Sequence, residues 1–195
     1  MIAFARRKEK LDRLFSQDSN VTTISGDLFN VNDVIQAAEG ADVIFQSANI
    51  PYSDWETKLG ILFRNMIEAT KASQAKLVVV DNIYAYGRSN GRIISEDFPK
   101  NPHTKKGRIR LQMENLIKEG NVPFLIAHFP DFYGPNAKNT LLHYTLQKIV
   151  ANKKAGYVGK QELAREFIFT PDGAKAIVNL ALLDKAYNQN WNIPG

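Results

Sequence analysis

Lys76-Leu77-Val78-Val79-Val80-Asp81-Asn82 is the stretch that decides the fold class. Its unbroken Leu-Val-Val-Val fits a strand at 76–80 covered on both faces, the situation of a parallel sheet's centre. Asp81-Asn82 then stands just past the expected strand end. Upstream, Trp55, Leu59, Leu62, Phe63, Met66, Ile67 and Thr70 recur at 3.6 spacing and predict one long helix. Downstream, Ile109, Met113, Leu116 and Ile117 predict a helix over 105–119, followed by a strand at 122–129. The alternation reaches both ends of the chain. Strands are expected at Ile2–Ala5, 21–25 and 41–45, with helices over Lys8–Phe15 and from a cap at Asn32 to a stop at Gly40. A helix at 140–150 and another opened by Thr170-Pro171-Asp172, with cap, first-turn proline and early acid, complete the pattern. Strand and helix in strict alternation mean right-handed crossovers and a doubly wound parallel α/β sheet.

The 195 residues are 44% hydrophobic and 23% charged, the balance of a globular domain rather than a disordered chain. With no cysteine there is no thiol nucleophile or disulfide framework, and a reducing cytoplasm is the expected compartment. The three histidines, His103, His128 and His143, lack ligand spacing, so no metal site is expected. The opening Met-Ile-Ala-Phe-Ala-Arg-Arg-Lys lacks a signal peptide's apolar stretch, and no apolar run approaches a membrane span. The net charge of +5 gathers in two places: Arg6, Arg7, Lys8, Lys10 and Arg13, and Lys100, Lys105, Lys106, Arg108 and Arg110. Two local clusters suit a phosphate-bearing small molecule, or simply two solvated helix starts. They carry no interleaved aromatic platform, so no nucleic-acid partner is expected.

In a doubly wound sheet, ligands sit beyond the carboxyl ends of the strands. The residues there are Arg6-Arg7, Gly26-Asp27, Gln46-Ser47-Ala48-Asn49, Asp81-Asn82 and Pro130-Asp131-Phe132-Tyr133-Gly134-Pro135. In order and spacing they resemble the NAD(P)-dependent epimerase/dehydratase branch of the short-chain dehydrogenase/reductase superfamily, over essentially the whole chain. Tyr86-Gly87, Glu96-x-x-Pro99, Tyr133-Gly134-Pro135 and Phe169-x-Pro171-Asp172 extend the resemblance. It implies a Rossmann-like domain over 1–135 and part of a small substrate lobe over 136–195. It also implies a dinucleotide contacted by Arg6, Arg7, Asp27, Ser47, Ala48, Asn49, Arg110 and Phe132. Arg6 and Arg7 stand where a basic residue favours NADP over NAD, because a guanidinium fork can take the 2′-phosphate.

Two departures qualify the resemblance. The chain shows no Gly-x-x-Gly-x-x-Gly, the loop that brings backbone N–H groups against a pyrophosphate. The βα unit carrying it is expected to precede Met1, so the chain reads as a fragment whose sheet lacks its central strand. The rival view makes Ile2–Ala5 the first strand, with Arg6-Arg7-Lys8 in place of the glycines. Long side chains there would block the close backbone approach. The second departure is catalytic. Where the family has Ser or Thr this chain has Asn82, and where it has Tyr-x-x-x-Lys this chain has Lys106-x-x-x-Arg110. Asn82, Lys106 and Arg110 are the candidate catalytic residues, with Tyr84, Tyr86 and Tyr133 as other phenols near the edge. The expected function is an NAD(P)-dependent oxidoreductase or epimerase acting on a nucleotide sugar or another small carbonyl or alcohol. The alternative is a dinucleotide-responsive regulator without turnover. A homodimer through exposed sheet edges is the expected assembly.

Overall fold

The computed structural model describes residues 1–138 and 140–195. Its elements run β1 (Ile2–Ala5), α1 (Lys8–Phe15), β2 (Thr22–Ser25), α2 (Val31–Ala38), β3 (Val43–Gln46), α3 (Gly60–Ala72), β4 (Lys76–Asn82), α4 (Lys105–Lys118), β5 (Phe124–Phe129), β6 (Asp131–Tyr133), α5 (Leu141–Val150), β7 (Phe167–Phe169), α6 (Thr170–Ala181) and β8 (Gln189–Asn192). Every recorded strand pairing is parallel. The main sheet has the order β3-β4-β5-β8, with β4 and β5 at its centre. Their apolar runs are buried from both sides, which is why neither alternates in polarity.

One face of this sheet is covered by α3 and α4. Trp55, Leu59, Leu62, Phe63, Met66 and Ile67 form a core there with Leu77, Val79, Ile117 and Ile126. The spacing read from the sequence is thus the buried face, although the segment Trp55–Leu59 enters α3 through a π-turn. The other face is covered by α6, whose Ile177 and Ala181 pack with Val78, Leu125, Ala127 and Phe129. Residues after the expected boundary at Pro135 therefore build the sheet's second face, and β8 extends the sheet beside β5.

β1 and β2 pair only with each other. Among the described residues no strand pairs with the second edge of β1 or with the second edge of β3. Phe4 of β1 nevertheless packs on the core under α3, and Asn65 Nδ2 donates to the Leu28 carbonyl at 2.8 Å, so α3 anchors the β1–β2 unit.

Three local expectations are corrected. Asn30, not Asn32, caps α2: its side chain accepts from the Asn32 N–H. Thr170 does not cap α6; it is the first helical residue, and its hydroxyl donates to the Pro135 carbonyl at 3.1 Å. β4 runs on through Asp81 and Asn82, which stay in register with His128 and Phe129 of β5. No helix of the described residues is long and apolar enough to cross a membrane.

Candidate functional site

The carboxyl ends of β1, β2, β3 and β4 carry the polar turns. After β1, Arg6 and Arg7 are exposed, and among the described residues their side chains make no hydrogen bond or ion pair. Arg7 is the extended N-cap of α1 and its side chain makes no cap hydrogen bond, while the Lys10 N–H donates to the Arg7 carbonyl at 3.2 Å. After β2, a Cβ on Gly26 would meet the Phe4 ring at 2.6 Å, so only glycine lets this strand end close over Phe4. Asp27 then folds onto its own turn: Oδ1 accepts from the Phe29 N–H at 3.0 Å, and its N–H donates to Asp33 Oδ2 at 2.8 Å. After β3, the buried Gln46 donates from Nε2 to the Ala48 carbonyl at 2.6 Å and so shapes Ser47-Ala48-Asn49. Asn49 Oδ1 accepts from the Ile50 N–H.

The expected catalytic residues make the following contacts. Asn82 Oδ1 accepts from the Tyr84 N–H at 3.0 Å and caps a short 3-10 turn, Ile83–Ala85. Lys106 lies on the exposed side of α4 with its Nζ 3.4 Å from the centroid of the Tyr52 ring. Arg110 is buried; it pairs with Asp81 Oδ1 at 3.2 Å and stacks 4.3 Å from the Trp55 ring. Among the described residues its Nε finds no hydrogen-bond partner. The guanidinium charge is thus answered by a buried carboxylate rather than offered to the edge. Phe132 packs 5.2 Å from Phe129 against the core on the α6 side.

The basic stretch 100–110 divides: Lys105, Lys106 and Arg108 are exposed, whereas Lys100 and Arg110 turn inward. Lys105 pairs with Glu56 at 2.6 Å, Arg108 donates to the His103 carbonyl at 3.1 Å, and Lys100 turns inward onto Glu114. Gly107 makes this possible. A Cβ there would lie 2.5 Å from the Tyr84 carbonyl oxygen, so glycine lets the first turn of α4 sit against the turn after β4.

Behind the edge lies a buried polar network that the sequence does not announce. Glu114, with no exposed surface, receives Lys100, Lys118 (2.7 Å) and Asn190 Nδ2 (2.8 Å). His128 Nε2 stands 3.0 Å from Lys100 Nζ and therefore accepts, which leaves Nδ1 to donate to the Asn82 carbonyl at 3.0 Å. Burial and the neighbouring Lys100 hold His128 below the usual imidazole range, against the pull of Asp81 and Glu114. Burial pushes the Glu114 carboxyl up, but its hydrogen bonds from Lys100 and Lys118 outweigh this and hold it at about 2. Tyr86 donates to Asn192 Oδ1 at 2.9 Å, and burial pushes its phenol up to about 12. Tyr133 sits outside this network, with its ring 5.5 Å from Phe169.

Tyr52 and Glu114 carry no local signal in the sequence, and Lys100 reads there only as one member of a basic stretch. Their partners lie far along the chain. The only sequence cue is that Tyr52 and Trp55 follow the turn after β3.

The edge suits one end of a dinucleotide best. Arg6, Arg7 and the start of α1 fit a phosphate, and Asp27 stands beside them at the next strand end. Among the described residues no Gly-x-x-Gly-x-x-Gly loop stands at this edge.

Several solved structures share the fold. The chain is similar to dTDP-glucose 4,6-dehydratase from Bacillus anthracis in complex with NAD, with 18% identity and a TM-score of 0.83 over 100% of this chain and 66% of that one. It is similar to UDP-glucuronic acid 4-epimerase from Bacillus cereus in complex with NAD, with 19% identity and a TM-score of 0.83 over 100% and 69%. The Bordetella bronchiseptica enzyme WbmG in complex with NAD matches with 17% identity and a TM-score of 0.80 over 99% and 64%. The chain thus spans less than two thirds of WbmG's length. No curated protein matches the sequence. A family model described as NAD(P)H-binding matches residues 1–164, most of the chain. With that match over most of the chain, and a parallel sheet shared with those structures, the chain belongs to the NAD(P)H-binding family and has a Rossmann-like fold.

Proposed function

We propose that this protein binds a nicotinamide dinucleotide across the carboxyl ends of β1 to β4. We further propose that it serves epimerase/dehydratase-type chemistry on a nucleotide sugar or another small carbonyl or alcohol. The observation that carries this is the row of polar turns on one sheet edge, Arg6-Arg7, Asp27, Ser47-Ala48-Asn49 and Asn82, within a chain of the NAD(P)H-binding family. A bound dinucleotide supplies hydride transfer. This chain's own residues bind and orient: the arginines and the α1 start at one end, and the turns after β3 and β4 at the other. The cysteine-free composition suits the reducing cytoplasm. Titration with NADH and NADPH by calorimetry tests the reading. Saturable binding of either is expected, and no binding of either at millimolar concentration would sink it.

NADP is the proposed preference. The free guanidiniums of Arg6 and Arg7 can fork onto a 2′-phosphate, and the end of β1 itself, Ala5-Arg6-Arg7-Lys8, carries no acid to take a 2′-hydroxyl. Replacing both with Ala is expected to weaken NADPH binding about tenfold or more and NADH binding by less than about twofold, on a salt-bridge-sized loss of roughly 1.5–3 kcal/mol. Equal losses for the two dinucleotides would show that the arginines are merely solvated.

A second reading, a dinucleotide-responsive binding protein without turnover, draws on a separate observation. Position 106 carries a lysine engaged on the Tyr52 ring in place of a phenol, and the charge of Arg110 is answered by Asp81, so the chain offers neither the family's tyrosine nor an unpaired cation beside it. Turnover of a carbonyl substrate at an ordinary enzymatic rate excludes this reading.

A further inference from the structure

The turns after β3 and β4 bring two phenols together at the edge. Tyr52 Oη and Tyr84 Oη are 3.4 Å apart, and either can donate to the other. Tyr52 follows β3, Tyr84 follows β4, and both remain exposed. Their rings form a corner with Trp55. Tyr52 meets the indole edge-on at 4.8 Å, and Tyr84 lies tilted at 6.4 Å.

This corner is fixed from below. The Trp55 indole donates to the Ile50 carbonyl at 3.0 Å, and its ring carries the Arg110 guanidinium. Asn82 holds the Tyr84 N–H, while α4 presses its glycine turn against the Tyr84 carbonyl. Lys106 closes the outer side with its ammonium on the Tyr52 ring. A cation so placed is held by the ring quadrupole and points at no hydroxyl.

The chemistry of such a corner is specific. Two hydroxyls that share one hydrogen bond keep one O–H donor and several lone pairs for a ligand. Rigid tyrosine rings supply apolar contact at little entropic cost, since each has only two side-chain torsions, and the buried Trp55 backs them from below. A pyranose presents this pair of surfaces: a C–H face to lie on the rings and oxygens at its rim to meet the hydroxyls. Burial and the Tyr52 hydrogen bond together push the Tyr84 phenol well above its ordinary range, so it stays protonated at neutral pH and acts as a donor.

We propose that Tyr84, supported by Tyr52, is the hydroxyl that positions the sugar ring of a nucleotide-sugar ligand at this edge, a role that Lys106 does not take. The assignment rests on the proposed reading of the edge as a dinucleotide and nucleotide-sugar site. Tyr84 is a positioning residue by this assignment.

Calorimetry of the full chain with UDP-glucose and with UDP as probes tests it, alongside NADH titration of the same samples. Wild type is expected to bind UDP-glucose about tenfold more tightly than UDP, the scale of one or two neutral hydrogen bonds. Tyr84→Phe keeps the ring and is expected to bring the two probes within twofold of each other, with UDP and NADH affinities unchanged. Tyr52→Phe is expected to reduce the preference about threefold by loosening Tyr84. Three results overturn the assignment: a wild-type chain that does not distinguish UDP-glucose from UDP, a Tyr84→Phe variant that keeps the preference, or a Lys106→Met variant that abolishes it while Tyr84→Phe does not. Loss of NADH binding in wild type is a different result and counts against the dinucleotide reading itself.

Discussion

Glu114→Ala is expected to remove about 3–5 kcal/mol of folding stability, because it strands buried cations that have lost their carboxylate. Lys100 is the group left exposed to this penalty. Only a small part of it reaches solvent, and its other polar neighbour, His128, has no charge to offer. Asn190 loses its acceptor as well. Urea unfolding followed by tryptophan fluorescence measures the loss, and a change below about 1 kcal/mol would contradict the network's role. The same carboxyl sets an acid limit. Its folded value of about 2 lies below the ordinary 4.5, so the unfolded chain binds the proton more tightly. The stability Glu114 contributes is therefore full above pH 4.5 and is lost as pH falls toward 2. His128, also held below its ordinary value, adds a loss that begins as pH drops through 6.5. In Glu114→Gln the first of these acid losses is expected to disappear while the second stays.

A larger effect is expected from pairing the two open strand edges. Among the described residues β1 is paired only with β2, and β3 only with β4, although both open edges belong to parallel strands of one fold. Ile2 and Phe45 on these strands are 41% and 42% exposed, whereas every residue of β5 is buried. Each backbone group left without a partner in a half-buried setting costs roughly 1–3 kcal/mol, against a whole-domain stability of about 5–15 kcal/mol. We propose that a parallel apolar strand followed by a glycine-rich turn fits between β1 and β3. Fused ahead of Met1, such a segment is expected to raise the melting temperature by about 10 °C or more, at roughly 2–4 °C per kcal/mol for a chain of this size. It is also expected to raise dinucleotide affinity at least tenfold by supplying backbone N–H groups to a pyrophosphate. Without it, the chain is expected to self-associate through those edges. A 195-residue chain that is monomeric, melts cooperatively and already binds dinucleotide tightly would contradict this.

What could be read from the sequence divides along a physical line. Leu77–Val80 and the Trp55–Thr70 face are legible because burial imposes a local pattern: continuous for a strand covered on both sides, 3.6-periodic for a helix covered on one. Asp81 and Asn82 read as a turn because they are polar. They are strand residues because β5 continues beside them and offers ladder partners. Two asparagines in the same turn, Asn30 and Asn32, each have cap chemistry, and only backbone geometry decides that Asn30 accepts. The strand-end turns after β1, β2 and β3 were legible for the same reason as the strands, since the doubly wound topology fixes which end carries them. The side-chain roles behind them were not. Arg110 was read as a donor toward ligand, yet Asp81 on the neighbouring strand takes its charge. Lys100, Glu114 and His128 come from a loop, a helix and a strand, and no local pattern connects them before the chain folds.

Hydrogen exchange with and without saturating NADPH tests the central claim most directly, because it reports where a dinucleotide lies. The account predicts slower exchange in the turns after β1, β2 and β3, over residues 6–10, 26–30 and 47–50, and no change at the opposite edge around Lys76 and Asn188. Protection confined to that opposite edge, or to the face of α5, would contradict it.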